Sequence, residues 1–181
     1  PGPPDRPVVP PALIADIAGG TLPAVMNILL GLRRRDQSGQ GCHLDIAMTD
    51  AMFTFASHAL ASGHVTGEFP GMGGARLSGG SPRYQLYPTA DGRLVACGAL
   101  EQKFWAGFCQ MADKPEWLSL QFSMGEERRK VREEVAGLFK TKPRDEWLTL
   151  TEVHDICLSS IQELGDLETD PQLQARERSI E

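Results

Sequence analysis

The apolar run from Ala12 to Leu32 constrains the fold more than any other stretch of the chain. It is almost long enough to span a bilayer, but it contains Asp16, Pro23 and several glycines. Acidic residues are rare within membrane spans because a charge in hydrocarbon is costly. The sequence therefore favours a buried core helix and no association with a membrane.

Asp16 lies among isoleucine and alanine residues and is followed closely by Gly19 and Gly20. A charged carboxylate is costly to bury, so Asp16 must be hydrogen bonded, carry a raised pKa or face a cleft. The missing glycine side chains would allow a ligand or another backbone to approach closely. Two interpretations stay open on these residues alone, namely that Asp16 caps a turn or that it acts in a site.

The first third of the chain is predicted to contain a helix, a strand and a second helix. Thr21 is a candidate N-cap for a helix that runs to Arg35, with Pro23 in its first turn. A Gly-rich turn leads into a predicted strand over 42–48, in which apolar residues alternate, and then into a helix over 51–62. This order indicates part of an α/β layer structure.

Glycines are concentrated in residues 63–82, which is typical of a linker or of a loop folded over a ligand. The segment has no G-x-x-x-x-G-K-[ST] pattern, so a phosphate-binding P-loop is not predicted. No G-x-G-x-x-G follows a strand either. A dinucleotide-dependent oxidoreductase therefore ranks last among the functions considered.

A second unit is predicted to begin with a β-hairpin. Asp91 and Gly92 lie between two β-prone runs, 84–88 and 93–97, which is a strong hairpin pattern. Glu101 then follows at a junction between strand and helix, where a carboxylate can either cap the helix or point into a site. Further helices are predicted over 102–111 and 126–139, from Asp145, and from Asp170 with Pro171 in its first position.

Charge and cysteine content exclude several kinds of partner. The net charge of -6 argues against nucleic-acid binding, because the two short basic clusters, 33–35 and 128–130, fit solvated helix faces. The four cysteines are widely spaced, without a C-x-x-C pair or a histidine at ligand spacing. We therefore expect reduced thiols, no metal site and a cytoplasmic protein. The Pro-rich start, residues 1–7, predicts a loop and suggests a piece of a longer chain.

Several separated motifs resemble the class III CoA-transferase family, which includes carnitine dehydratase/bile-acid-inducible proteins and α-methylacyl-CoA racemases. The motifs follow one another along nearly the whole chain, and the pair around Asp91 and Glu101 is similar to the racemase branch. They are Ala15–Gly20, Ser38–Gly41, Asp45–Ala51, Tyr84–Gly92, Gly98–Phe104 and Asp170–Arg176.

The resemblance implies an α/β fold made of part of a Rossmann-like large domain and a smaller α+β domain. It also implies a whole chain roughly twice this long, which folds as an interlocked homodimer. Residues 1–62 would then be a middle part of the large domain, 63–82 a Gly-rich linker or loop, and 83–181 the small domain. It also implies that most of the CoA pocket and the histidine of the racemases precede Pro1.

The resemblance further implies that coenzyme A is a substrate and product rather than a permanently bound cofactor, with acyl-CoA and carboxylic acids as partners. Asp16 would attack an acyl-CoA and form an aspartyl-CoA thioester during CoA transfer, which is the expected activity. In the alternative, a racemase, Asp16 and Glu101 would act as acid/base groups with an upstream histidine. A third possibility is an inactive structural or dimerising fragment.

Overall fold

The computed structural model describes residues 6–10 and 12–178, so part of the predicted Pro-rich loop, residues 1–5, lies outside the described residues. The chain divides into two compact units, Pro1–Ala75 and Arg76–Glu181. The division falls inside the Gly-rich segment 63–82, whose first residues are helical.

The first unit is built from a short π-helix, Ala15–Thr21, that continues directly into α1, Leu22–Ser38, and from α2, Met48–Thr66. The predicted N-cap at Thr21 is wrong, because Thr21 itself has helical φ and ψ angles of -61° and -50°. Its hydroxyl donates to the carbonyl oxygen of Asp16 at 3.1 Å instead of accepting a bond from the next turn. The helix therefore starts earlier than the sequence indicates.

The strand predicted over residues 42–48 is not formed. Residues 40–47 are neither helix nor strand, and Met48 already begins α2. A strand needs a hydrogen-bonded neighbour, and the described part of this unit contains no other strand. The side chains of Cys42 and Leu44 instead lie against Gly31 of α1. The Rossmann-like character of this unit therefore remains an expectation.

Gly19 allows the π-helix to pack closely on α2. A Cβ atom placed on Gly19 would lie 3.1 Å from the carbonyl oxygen of Met48 and 2.9 Å from the Cε of Met52. Gly19 is also the buried residue of the π-helix. The close approach that the glycine pair predicts is therefore made by the backbone of a neighbouring helix.

The apolar helix α1, which the sequence predicts as a core helix, is not buried within the described residues. All of α1 is described, and none of its residues is buried, because the neighbouring segments cover only part of its surface. Among the described residues, one helix, spanning Ala15–Ser38, is long and apolar enough to cross a membrane by length and composition, since an 18-residue window within it has a mean hydropathy of 1.4. A single helix of this kind near the start of a chain is only weak evidence of a membrane span. The large apolar side chains exposed on α1 are Leu22, Val25, Met26, Ile28, Leu29, Leu30 and Leu32.

The second unit contains a three-stranded antiparallel sheet in the order β1-β2-β3. The strands are β1, Gln85–Pro88, β2, Leu94–Cys97, and β3, Leu158–Ser160. The predicted hairpin is confirmed, since Tyr87 pairs with Val95 across the turn that contains Asp91 and Gly92. Gly92 has a φ of 76°, which suits glycine because it has no Cβ atom.

Helices surround this sheet. The predicted helix over 102–111 is confirmed as α3, and the predicted cap at Asp170 is confirmed by bonds that its side chain accepts from the backbone of α7. Before the β3 strand lie α4, α5 and α6, while a 3₁₀-helix, Leu164–Thr169, precedes α7. Their bounds are α3, Gln102–Met111; α4, Glu116–Ser119; α5, Gly125–Phe139; α6, Arg144–Leu150; and α7, Pro171–Ala175.

Aromatic side chains form the centre of the second unit. Phe139 of α5 stacks on Tyr87 of β1 with ring centroids 5.0 Å apart and meets Trp147 of α6 edge-on at 5.2 Å. Trp105 of α3 stacks on Phe108 at 5.3 Å. The indole N–H groups find acceptors, for example Trp105 Nε1 donating to the carbonyl of Trp117 at 3.1 Å. This mixed helical and antiparallel unit rests on one well-packed core.

Candidate functional site

Asp16 occupies the first turn of the π-helix in the first unit. Its side chain is exposed and makes no hydrogen bond or ion pair with any other described residue, so it caps no turn. Of the two interpretations that the sequence left open, the cap is therefore wrong. The arrangement leaves a free carboxylate available for reaction.

The backbone around Asp16 is unusual. The N–H of Leu22 bonds to the carbonyl of Ile17, a spacing of five residues, which defines the π-helical turn. The Thr21 hydroxyl spans the same spacing when it donates to the carbonyl of Asp16. Such π segments are rare and are frequently found at functional sites. Thr21 thus contacts the Asp16 carbonyl, a role that the sequence did not predict because its residue type suggested an N-cap.

Glu101 lies at the N-cap position of α3 in the second unit, with extended φ and ψ angles of -71° and 144°. Its side chain is exposed and makes no cap hydrogen bond, so the predicted alternative of a capping role is wrong. Its carbonyl accepts from the Trp105 N–H at 3.1 Å. The carboxylate has no hydrogen bond or ion pair within residues 6–10 and 12–178.

Backbone bonds hold the turn that carries Glu101. The N–H of Gly98 donates to the carbonyl of Cys157 at 2.9 Å, and the N–H of Leu100 donates to the carbonyl of Gly98 at 2.8 Å. Arg83 adds a side-chain bond, since its Nη1 donates to the carbonyl of Leu100 at 2.6 Å. Sequence reasoning missed Arg83, because nothing local indicates which backbone group its side chain reaches.

The end of the Gly-rich segment lies against the sheet of the second unit. Gln85 Nε2 donates to the carbonyl of Gly79 at 2.7 Å, and the Tyr87 hydroxyl donates to the carbonyl of Pro82 at 2.7 Å. A cavity of about 400 Å³ opens beside this loop, and Gly98, which begins the turn leading to Glu101, lies in its wall. The loop is thus held in place on the sheet and borders a cavity.

The thiols of two buried cysteines are unsuited to catalysis. Burial raises the pKa of the Cys97 thiol to about 11 and that of the Cys109 thiol to about 12, so both stay protonated near neutral pH. All four cysteines are free, as the sequence predicts. Within the described residues, no cluster of histidine, cysteine, aspartate and glutamate could hold a metal ion.

The two predicted site residues belong to different units, Asp16 to the first and Glu101 to the second. Each is exposed and free of partners among the described residues. Each therefore presents a carboxylate without a hydrogen-bond or ion-pair partner in the described residues.

Comparison with known proteins gives the family. The family model described as CoA-transferase family III matches residues 1–181. The chain belongs to CoA-transferase family III. The resemblance noted from the motifs is thus confirmed over the full chain.

The relatives of this family member include both racemases and transferases. The chain is 28% identical to human alpha-methylacyl-CoA racemase over 158 residues, covering 87% of this chain and 41% of that protein. It is 26% identical to succinyl-CoA:mesaconate CoA-transferase of Haloarcula hispanica over 177 residues, covering 93% and 43%. The chain spans less than half the length of these curated relatives.

Solved structures show the same fold. A CAIB/BAIF family protein from Brucella suis matches with a TM-score of 0.70 at 24% identity, covering 99% of this chain and 48% of that one. A hypothetical protein from Mycobacterium tuberculosis matches with a TM-score of 0.72 at 19% identity, covering 98% and 47%. At these identities the likeness establishes the fold of the chain and nothing finer.

Proposed function

We propose that the chain is part of an acyl-CoA enzyme in which Asp16 is the reacting carboxylate. The observation that carries this proposal is the exposed Asp16 side chain, which has no partner among the described residues. Asp16 lies on the π-helix, and this helix packs closely against α2 at Gly19. A nucleophilic carboxylate must be unpaired to attack and fixed to attack in one direction. Membership of CoA-transferase family III supports coenzyme A as the substrate carrier.

The proposed reaction is transfer of CoA between carboxylic acids. The Asp16 carboxylate attacks the thioester carbonyl of an acyl-CoA and expels CoA thiolate, giving a mixed anhydride. The thiolate then attacks the aspartyl carbonyl of the anhydride, which releases the first acid as a carboxylate and leaves an aspartyl-CoA thioester. A second carboxylate attacks this thioester and again expels CoA thiolate. The thiolate finally attacks the new acyl carbonyl, which yields the new acyl-CoA and free Asp16.

Racemisation of a 2-methylacyl-CoA is the second candidate, favoured by the free carboxylate of Glu101 and by the racemase relatives. This reaction removes a proton from the carbon next to the thioester carbonyl and returns one on the opposite face, so it needs two acid/base groups. Asp16 and Glu101 are proposed for this work, together with a histidine upstream of this chain. The thioester carbonyl stabilises the carbanion that forms when this proton is removed. In this reaction neither CoA nor an acyl group is transferred.

Trapping separates the two reactions in the full-length protein. With succinyl-CoA as donor, borohydride or hydroxylamine should modify Asp16 if an aspartyl thioester forms, and mass spectrometry of the peptide locates the change. With 2-methyldecanoyl-CoA in D₂O, a racemase should instead exchange the α-proton without any adduct. Exchange without an adduct would overturn transfer in favour of racemisation.

The matched variants are Asp16→Asn and Asp36→Asn. Asp36 is an exposed aspartate of α1 whose ion pair with Arg35 is solvent exposed, so its replacement should leave activity unchanged. Asp16→Asn should lower kcat by at least about 10³-fold, since it removes the reacting group. Equal activity of both variants would refute the proposal.

Assembly and location are further parts of the proposal. We infer an interlocked homodimer located in the cytoplasm, since the family resemblance implies this assembly and the free cysteines suit a reducing compartment. Light scattering of the full-length protein and fractionation of its native cells test these points. The alternative of an inactive structural or dimerising fragment predicts that residues 1–181 alone neither bind CoA nor turn over substrate. Binding and turnover by this piece would refute that alternative.

A further inference from the structure

Arg83 is a buried cation that forms no ion pair within the described residues, although the negative charge of Glu101 acts on it and favours its charged form. It is only 2% exposed, and no carboxylate within residues 6–10 and 12–178 forms an ion pair with it. Its Nε atom also lacks a hydrogen-bond partner there. Arginine is seldom buried in this way, because removing a guanidinium from water is costly unless it is paired. A role specific to this position would explain why the cost is tolerated.

The contacts of Arg83 point to the turn before α3. Its Nη1 donates to the carbonyl of Leu100 at 2.6 Å, and its guanidinium lies over the ring of Phe122, 5.2 Å from the centroid. Its own backbone N–H donates to Ser81 Oγ at 3.2 Å. Burial is the main cause of a lowered Arg83 pKa, followed by the charge of Arg76. A hydrogen bond from a charged donor is stronger than one between neutral groups.

The carbonyl that Arg83 holds belongs to the peptide group joining Leu100 to Glu101. A peptide group is planar, so fixing its oxygen also fixes the direction in which the N–Cα bond of Glu101 leaves it. The other backbone bonds of this turn, from Gly98 to Cys157 and from Leu100 to Gly98, hold its earlier half. The Arg83 bond therefore acts on the part of the turn from which the Glu101 side chain projects.

We propose that Arg83 is the positioning residue for Glu101, holding the Leu100 carbonyl so that the exposed carboxylate is presented in one orientation. This inference rests on the proposed role of Glu101 in acyl-CoA chemistry. The geometric half of the proposal, that Arg83 holds the backbone of the 98–101 turn, concerns this turn alone. It is tested without any substrate.

Amide hydrogen exchange of the full-length protein tests the geometric half. Arg83→Met has no side-chain donor for the Leu100 carbonyl, and the side chain of Arg83→Gln is too short to reach it. Both variants should speed amide exchange in the 98–101 turn by about tenfold or more. Arg83→Lys keeps a charged donor and should restore slow exchange. Arg93→Met makes the same change at an exposed position of the hairpin and should leave the turn as in the wild type.

The catalytic half is tested with 2-methyldecanoyl-CoA exchange and with transfer from succinyl-CoA. Arg83→Met should lower kcat by about 10²-fold with KM within about threefold, and Arg83→Lys should recover most of it, because misplacement of a reacting group lowers kcat. Adding Arg83→Met to Glu101→Gln should cost little more than Glu101→Gln alone.

The outcomes separate the two proposals. Unchanged exchange of the turn in both Arg83→Met and Arg83→Gln overturns the positioning role, as does a folded Arg83→Lys without recovery. Wild-type activity of Glu101→Gln overturns the role of Glu101 in the proposed function, while the exchange result still decides what Arg83 does. Should Arg83→Met not fold, Arg83→Gln carries the exchange test.

Discussion

Replacing Gly19 by alanine tests whether the position of Asp16 depends on close packing of the π-helix on α2. The new Cβ atom would lie 3.1 Å from the carbonyl oxygen of Met48, whereas ordinary contacts begin at 3.4 Å. The helix must therefore move by at least roughly 0.3 Å, the difference between these distances. Met52 also lies within 2.9 Å, but its methyl end can turn away.

The expected free-energy change is the difference between two effects. Forcing a methyl group into a packed interface costs about 1–3 kcal/mol. Alanine is favoured over glycine in a helix by about 1 kcal/mol, which offsets part of this cost. Gly19→Ala should therefore lower the free energy of unfolding by about 0–2 kcal/mol. A shift of this size in Asp16 should lower kcat by roughly three- to tenfold, scaled from the loss for a 1 Å misplacement.

Gly137→Ala is the matched control. Gly137 lies in α5, and nothing would come within 4 Å of an added Cβ atom there. This variant should gain about 0.5–1 kcal/mol of stability and keep full activity. Urea unfolding of the full-length protein, with comparison of m-values, measures both changes. The reasoning is refuted if Gly19→Ala is stabilised as much as Gly137→Ala and remains fully active.

The remaining predictions concern the second unit. Phe139→Ala should cost about 3–5 kcal/mol of stability in urea unfolding, because this fully buried ring contacts three other aromatic rings. The Thr89 hydroxyl, which donates to Asp91, lowers the pKa of that carboxyl, so its stabilising effect is present above its ordinary pKa and lost as pH falls through the folded value. Asp91→Asn should therefore reduce thermal stability at pH 7 more than at pH 3, as scanning calorimetry would show. Cys97 and Cys109, whose thiols are protonated, should resist thiol labelling at pH 8 until the protein is denatured, which peptide mass spectrometry can detect.

Local patterns were sufficient for the hairpin and for the last helix. An Asp-Gly turn needs only its own four residues to close, and Gly92 adopts the positive φ that such a turn requires. Asp170 likewise caps α7 through bonds to Gln172 and Leu173, two and three residues away. Both features follow from short-range geometry, so they could be predicted without knowledge of the fold.

Features that depend on which groups compete for a hydrogen bond were predicted less well. The alternation of residues 42–48 is typical of a strand, but within the described residues of its unit there is no strand with which to pair. Thr21 carries a strong N-cap preference, yet its hydroxyl serves the carbonyl of Asp16 inside a longer helix. In the first case a pairing partner is missing among the described residues, and in the second a carbonyl one helical turn back competes for the hydroxyl, so the local preference does not decide either outcome.

The sequence by itself determined the family motifs, the two candidate carboxylates and the helix α3, because residue type and short spacing are enough for each. Only the tertiary structure decided that Asp16 and Glu101 cap nothing and that Gly19 makes room for α2. Only the tertiary structure, too, brings Arg83 to the Leu100 carbonyl seventeen residues away. The physical reason is that burial and hydrogen bonding of a side chain depend on which segments meet in space, which spacing along the chain does not specify.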